Sequence, residues 1–129
     1  MKFALAVAFL SSLAWGQLPD APSVDRAFWI NTSASGLATL ADGITTVRLV
    51  GHTETCPFEE WGSSLYGRTP TAGRVTLVMG GLWGASALVS YELKRHRVHL
   101  WKLPLWPVPE SYLAYGHASG AIHNLRTCH

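Results

Sequence analysis

Val75–Tyr91, which reads VTLVMGGLWGASALVSY, holds 17 residues without a charged side chain and runs into the basic cluster Lys94-Arg95-His96-Arg97. At 1.5 Å per residue a helix needs roughly 20 residues to cross a hydrocarbon core of about 30 Å, and a basic cluster at the end acts as an interfacial stop. The stretch therefore predicts a membrane-spanning helix over about 74–95. A soluble domain could use the same segment as its one central helix, because the run falls just under the length of about 18 residues that marks a span. Its company favours the bilayer. Only 14% of the chain is charged, six residues are Trp, and mean hydropathy is +0.15, against roughly 25% charged residues in soluble domains. Each helix of a soluble bundle would also need a charged outer face.

Two weaker segments flank this one. Ala27–Val50 is long enough to cross but carries Asn31, Asp42 and several Ser and Thr, the composition of a helix packed against protein rather than lipid. Leu105–Leu125 begins among Pro104, Pro107 and Pro109 and contains Glu110, His117, His123 and Asn124. Proline is tolerated in a helix's first turn, so a third helix over about 108–126 is expected to start there. Trp101, Trp106 and Lys102 stand just before it, as residues at headgroup level do.

The first sixteen residues read as a secretory signal. Lys2 supplies the positive end, Phe3 to Leu13 the apolar region, and Ala14 and Gly16 the small residues before a cut at Gln17. Residues 17–26, with Pro19 and Pro22, read as an extended linker. The expected fold is thus all-α, a small helical membrane protein of about three helices (27–50, 74–95, 108–126) following a signal peptide, in a bacterial inner membrane.

Polar residues recur along single helix faces. Asn31, Ser35, Asp42 and Thr45 lie four, seven and three apart; Glu110, His117, Asn124 and Cys128 lie seven, seven and four apart. Lipid would penalise an Asp at the helix centre by about 2.5–3.5 kcal/mol, so both stripes are expected to face the interior and bring Asp42 to His117. Asn31, Asp42, Thr45, His117 and Asn124 form the candidate polar cluster. Small residues suggest a second contact. Gly80 and Gly84, with Thr76 and Ala87 on the same face, and Gly116 and Gly120 form two G-x-x-x-G pairs, which predict close packing of the second helix on the third.

Asp42-Gly43-Ile44-Thr45-Thr46 on the first helix, Glu54 and Pro57 in the next loop, a Gly67-x-x-Pro70 turn, and His117 and Asn124 on the last helix together resemble a set of small bacterial three-helix membrane proteins of unassigned function. Their first helix carries Asp-x-x-Thr-Thr and their loop Glu-x-Asn-Pro; here Cys56 stands where that loop has Asn. The similarity covers residues 25 to 125 and implies a three-helix membrane fold without a known activity.

Catalytic signatures fail on inspection. His52-Thr53-Glu54 lacks the paired cysteines of a zinc deaminase, and Gly62-Ser63-Ser64 lacks the second glycine of a nucleophile elbow. Ten Lys and Arg against eight acids give a net charge of +2, too little for a nucleic-acid partner. The expected role is a non-catalytic interaction or structural subunit without a cofactor, whose partners are the lipid bilayer and another membrane protein. The alternative is a metal-binding or proton-handling component built on Asp42 and His117, with His123, Cys128 and His129 as a further metal set. Orientation is contested by the sequence itself: a cleaved leader with three spans puts Lys94 to Lys102 outside, against the positive-inside rule, whereas a first helix that stays on the outer side or re-enters leaves two spans and puts that cluster inside. Cys56 and Cys128 fall on the same side either way, and pair if that side is oxidising.

Overall fold

The computed structural model describes residues 24–50, 65–67 and 69–128. Three long helices dominate: α1 (Arg26–Leu49), α2 (Ala72–Arg95) and α3 (Val108–Thr127), with a two-residue hairpin of β1 (His99–Leu100) and β2 (Leu103–Pro104) between the last two. The helix bounds lie within two residues of the sequence expectation. The signal and nearly all of the linker fall in residues 1–23, outside the described residues.

Each helix has a local cause for where it begins. Asp25 caps α1 by accepting from the Phe28 amide at 2.8 Å, and Thr71 caps α2 by accepting from Arg74 at 3.4 Å. Lys94 and Arg95 occupy the last turn of α2, where the carbonyl end of the helix favours cations. Helix α3 starts after Pro107 with Pro109 in its first turn, where a missing N–H costs nothing. The hairpin was not legible from pattern. It turns tightly through Trp101, a non-glycine residue at φ 57, which costs on the order of 1–3 kcal/mol.

The three helices alternate in direction. Asp25 meets Lys94, Phe28 stacks edge-on to Tyr91, and Ser35 meets Trp83, so α2 runs antiparallel to α1. Asn31 meets Glu110, Asp42 meets His117 and Thr45 meets Asn124, so α3 runs parallel to α1. One end of the bundle therefore gathers the start of α1, the hairpin and the basic cluster; the other holds Thr71 and Cys128.

The interior is mostly polar. A small apolar cluster of Tyr66, Val75 and Met79 sits beside Val47 and Val78 at one end, and Phe28 is buried among Trp29, Tyr91 and Trp106 at the other. Between them the buried side chains are Thr32, Ser35, Thr39, Asp42, Thr46, Ser90, Glu110 and Asn124, together with the apolar Ala121. Large apolar side chains such as Leu37, Leu40, Leu77, Tyr112 and Tyr115 point outward. Among the described residues α2 is the one helix long and apolar enough to cross a membrane.

The expected glycine contact between α2 and α3 is not formed. A Cβ on Gly80, Gly84 or Gly116 would meet nothing within 4 Å. Gly120 does lie at a close contact, but against Asp42 of α1, whose Oδ1 would be 2.9 Å from an added Cβ. Burial of polar stripes sets the rotation of the helices: α2 turns Trp83, Met79 and Val75 inward, and α3 turns Glu110, His117 and Asn124 inward, which leaves three of the four glycines on outer faces.

Candidate functional site

The heptad spacing of polar residues on two parallel helices brings the stripes into register as a seam with two nodes. At the hairpin end Glu110 is fully buried. Its Oε2 accepts from Asn31 Nδ2 at 2.9 Å and Thr32 Oγ1 at 3.0 Å, while its Oε1 makes no hydrogen bond among the described residues. Asn31 also donates to the Pro107 carbonyl at 3.4 Å and accepts from Ser111, an outward-facing residue, at 3.3 Å.

Deeper in the bundle, Asp42 Oδ2 lies 2.6 Å from His117 Nδ1, with each side chain 12% exposed. The ring N–H donates to the carboxylate, and His117 Nε2, also buried, makes no hydrogen bond among the described residues. Asn124 Nδ2 sits among three acceptors, Thr45 Oγ1 at 3.2 Å, Thr46 Oγ1 at 3.3 Å and Asp42 Oδ1 at 3.5 Å. Thr46 Oγ1 donates to Asp42 Oδ1 at 3.5 Å. Gly120 belongs here because any side chain would occupy the space of the Asp42 carboxylate.

Buried hydroxyls line α1 between the two nodes, two of them turned back onto the helix's own carbonyls. Thr32 bonds Glu110, Ser35 donates to the Thr32 carbonyl at 3.0 Å, and Thr39 donates to the Ser35 carbonyl at 2.8 Å, one turn before Asp42. Trp83 of α2 closes the row from the side, its indole N–H reaching the Thr32 carbonyl at 3.2 Å and Ser35 Oγ at 3.1 Å. Ser86 and Ser90 of α2 add two further buried hydroxyl oxygens without a hydrogen bond.

Of the expected cluster, Asp42, Thr45, His117 and Asn124 meet at one node, and Asn31 stands at the other beside Glu110. Thr32, Thr39 and Trp83 went unread in the sequence. The threonines carry a signal nonetheless, since Thr32, Thr39 and Thr46 repeat at seven residues, the interval of Glu110, His117 and Asn124. Cys128 is disulfide-bonded, and Cys56 lies outside the described residues. That bond overturns the metal set of His123, Cys128 and His129, because an oxidised sulfur offers no thiolate. Among the described residues no group of three His, Cys, Asp or Glu side chains is placed to hold a metal ion.

Outside the seam, Lys94 pairs with Asp25 at 2.5 Å and lies 4.0 Å from the centre of the Trp106 ring. The hydrogen bond from Lys94, and then that from the Phe28 amide, holds the Asp25 carboxyl below its usual range. Burial, and next the charge of Asp42, pushes the Tyr66 phenol up. Comparison of the chain with family models, curated proteins and solved structures finds no match.

Proposed function

We propose that the chain is an integral protein of a bacterial inner membrane and serves there as a non-catalytic interaction subunit. The observation that carries the reading is the inverted polarity of the bundle. Buried Ser, Thr, Asn, Asp and Glu side chains line the interior while Leu37, Leu40, Leu77 and Tyr112 face out. In water each such exposed side chain forgoes about 1.5–3 kcal/mol of burial; in a bilayer lipid covers them, and the polar groups find partners inside. Trp29, Trp101 and Trp106 stand with Lys94 and Lys102 at the hairpin end, and Trp101 is 93% exposed in its strained turn, the placement of an interfacial anchor.

A partner helix is the occupant this surface suits. A groove of about 680 Å³ runs along α1 and α2 from Ser33 to Arg48, lined by Gly36, Gly43, Leu40, Ile44, Val75 and Gly80. Gly36 and Gly43 lie against Trp83, Val75 and Met79 of α2, and Gly80, open on the groove, permits the close backbone approach by which helices associate in lipid. The protein is expected to resist alkaline carbonate extraction, and a photo-crosslinking residue at Gly80 to capture a specific membrane protein. Release by carbonate would refute the membrane assignment; crosslinks to lipid alone would refute the subunit role.

Orientation follows from two independent features. Lys94, Arg95, Arg97 and Lys102 gather at the hairpin end, and the disulfide of Cys128 at the other. Positive charge favours the cytoplasm and a disulfide the oxidising side, so both support an orientation with the hairpin inside.

A second reading, proton handling, draws support from the seam. Intramembrane Asp, Glu and His are costly, and where they occur they commonly lie on ion or proton routes. Glu110 Oε1 and His117 Nε2 are buried without a hydrogen bond, at odds with a purely structural seam, whose polar atoms would all be paired.

A further inference from the structure

Resting on the membrane reading with the hairpin inside, we infer that the pocket between the end of α2 and the hairpin binds the phosphate of an anionic phospholipid, with Arg97 as its principal donor. Arg97 stands where a helix ordinarily ends in glycine. Its amide donates to the Lys94 carbonyl at 3.1 Å, and the Val98 amide donates to the Leu93 carbonyl at 2.9 Å, the paired closing bonds that call for a left-handed residue after the cap. Arg97 takes that conformation at φ 52, which glycine adopts freely and a residue with a Cβ does not. His99 Nδ1 donates to the Arg97 carbonyl and holds the turn. Glycine would serve the fold better, so the strained position points to a use for the arginine side chain itself.

The surroundings suit a phosphate. Lys94, Arg97 and His99 border a pocket of about 320 Å³ whose apolar walls include Leu93, Val98 and Trp106, and no Asp or Glu among the described residues lines it. The described carboxylates are engaged elsewhere: Asp25 with Lys94, Glu92 with Arg95 and His96, Glu110 with Asn31 and Thr32, and Asp42 with His117. Arg97 is exposed and makes no ion pair among the described residues. Its guanidinium can therefore offer two parallel N–H groups to one phosphate. Lys94, fixed between Asp25 and the Trp106 ring, adds a second and partly neutralised charge.

The setting favours a lipid over a soluble phosphate ester. Trp101 and Trp106 mark headgroup depth, and Leu100 and Leu103 of the hairpin are exposed, as suits acyl chains rather than water. The pocket is at the small end of ligand sites, the size of a headgroup whose chains stay in the bilayer. Basic pockets on the cytoplasmic side of membrane helices take anionic headgroups.

The test is native mass spectrometry of the full chain from an uncharged detergent, in about 0.15 M ammonium acetate to screen loose surface attraction. Phosphatidylglycerol and phosphatidylcholine with the same acyl chains are supplied in equal amounts. A basic side chain beside an anionic headgroup corresponds to about a fivefold preference, so wild-type protein is expected to retain phosphatidylglycerol by about fivefold or more. Arg97→Gly is expected to lose about fivefold of that preference while its unfolding temperature stays or rises, because glycine suits the cap. Arg97→Gln, which keeps a long side chain without the charge, should lose as much and decides the matter if Arg97→Gly unfolds. Arg26→Ala removes an exposed charge at the same end but outside the pocket, and should keep the preference. Glycerol 3-phosphate at the lipid's concentration should leave the retained lipid in place. Equal losses in Arg26→Ala and Arg97→Gly would mean diffuse charge attraction and overturn the site. Displacement by glycerol 3-phosphate would overturn the lipid as its ligand. A chain that resists carbonate extraction yet shows no lipid preference overturns the site and leaves the membrane reading standing; release by carbonate overturns both.

Discussion

Removing Asp42 and His117 singly and together should expose a strong coupling. Both are nearly buried, and at 2.6 Å theirs is the shortest bond in the seam. Taking away His117 leaves Asp42 Oδ1 with Thr46 and Asn124, both at the 3.5 Å limit of a hydrogen bond, and Oδ2 with nothing. Taking away Asp42 strands a ring whose Nε2 already lacks a partner, though Asn124 keeps Thr45 and Thr46. Breaking a buried pair from one side costs about 3 kcal/mol. Couplings measured between polar side chains in membranes average about 0.6 and reach about 1.7 kcal/mol, and a charge-assisted bond belongs at the upper end, so about 1.5 kcal/mol is expected here. Asp42→Ala and His117→Ala should each cost about 3 kcal/mol, and the double variant about 4.5 kcal/mol where independent losses would give about 6. Reversible unfolding of the four proteins in a detergent series reads these values. Additivity within about 0.3–0.5 kcal/mol would refute the pairing as an energetic contact.

Three further outcomes follow from the same geometry. Gly120→Ala should destabilise by about 1–3 kcal/mol despite alanine's better helix propensity, because its Cβ displaces the Asp42 carboxylate, whereas Gly116→Ala and Gly84→Ala should be neutral or stabilising by up to about 1 kcal/mol; equal effects at the three sites in the same detergent series would contradict the packing. The Asp25 carboxyl is held below its ordinary value of 3.8, so its support of the α1 start should be complete above that pH and lost as pH falls through the lowered value; hydrogen exchange at the Phe28 amide should accelerate there in wild type and be fast and insensitive to this titration in Asp25→Ala. With the hairpin inside, a reporter active only in the periplasm should be silent when fused after Arg97; an active reporter there would reverse the orientation.

The helices were legible because length, caps and breakers act locally. Pro107 and Pro109 mark the start of α3, and the basic run at Lys94 marks the end of α2. The seam was legible because seven residues are close to two helical turns, so any set at that interval shares a face. Three features were out of reach for a physical reason. Thr32 and Thr39 look unremarkable in a helix until a partner helix supplies Glu110 opposite them. Trp83 reads as lipid-facing bulk, and only the antiparallel placement of α2 gives its N–H an acceptor. The hairpin depends on a left-handed Trp101, which no local preference favours.

The glycines show which force ranks higher when two patterns compete for one helix face. Packing α2 on α3 through Gly80, Gly84, Gly116 and Gly120 would gain van der Waals contact of modest strength, but Gly116 lies one residue from His117 and so about 100° around α3. Turning Gly116 inward would carry the stripe of Glu110, His117 and Asn124 to the outside of the bundle, which in the proposed bilayer setting costs about 2.5–3.5 kcal/mol for a charged side chain alone. The observed rotation keeps the stripe inside and gives up the glycine contact, retaining only Gly120, which lies on the flank of the stripe where a missing side chain makes room for Asp42. On α2, Gly80 and Gly84 are likewise turned away from α3, and Gly80 opens onto the apolar groove beside α1. Gly80 and Gly84 stand four residues apart with no neighbour within 4 Å among the described residues; burial within this bundle does not account for them, and the association with another helix proposed above would.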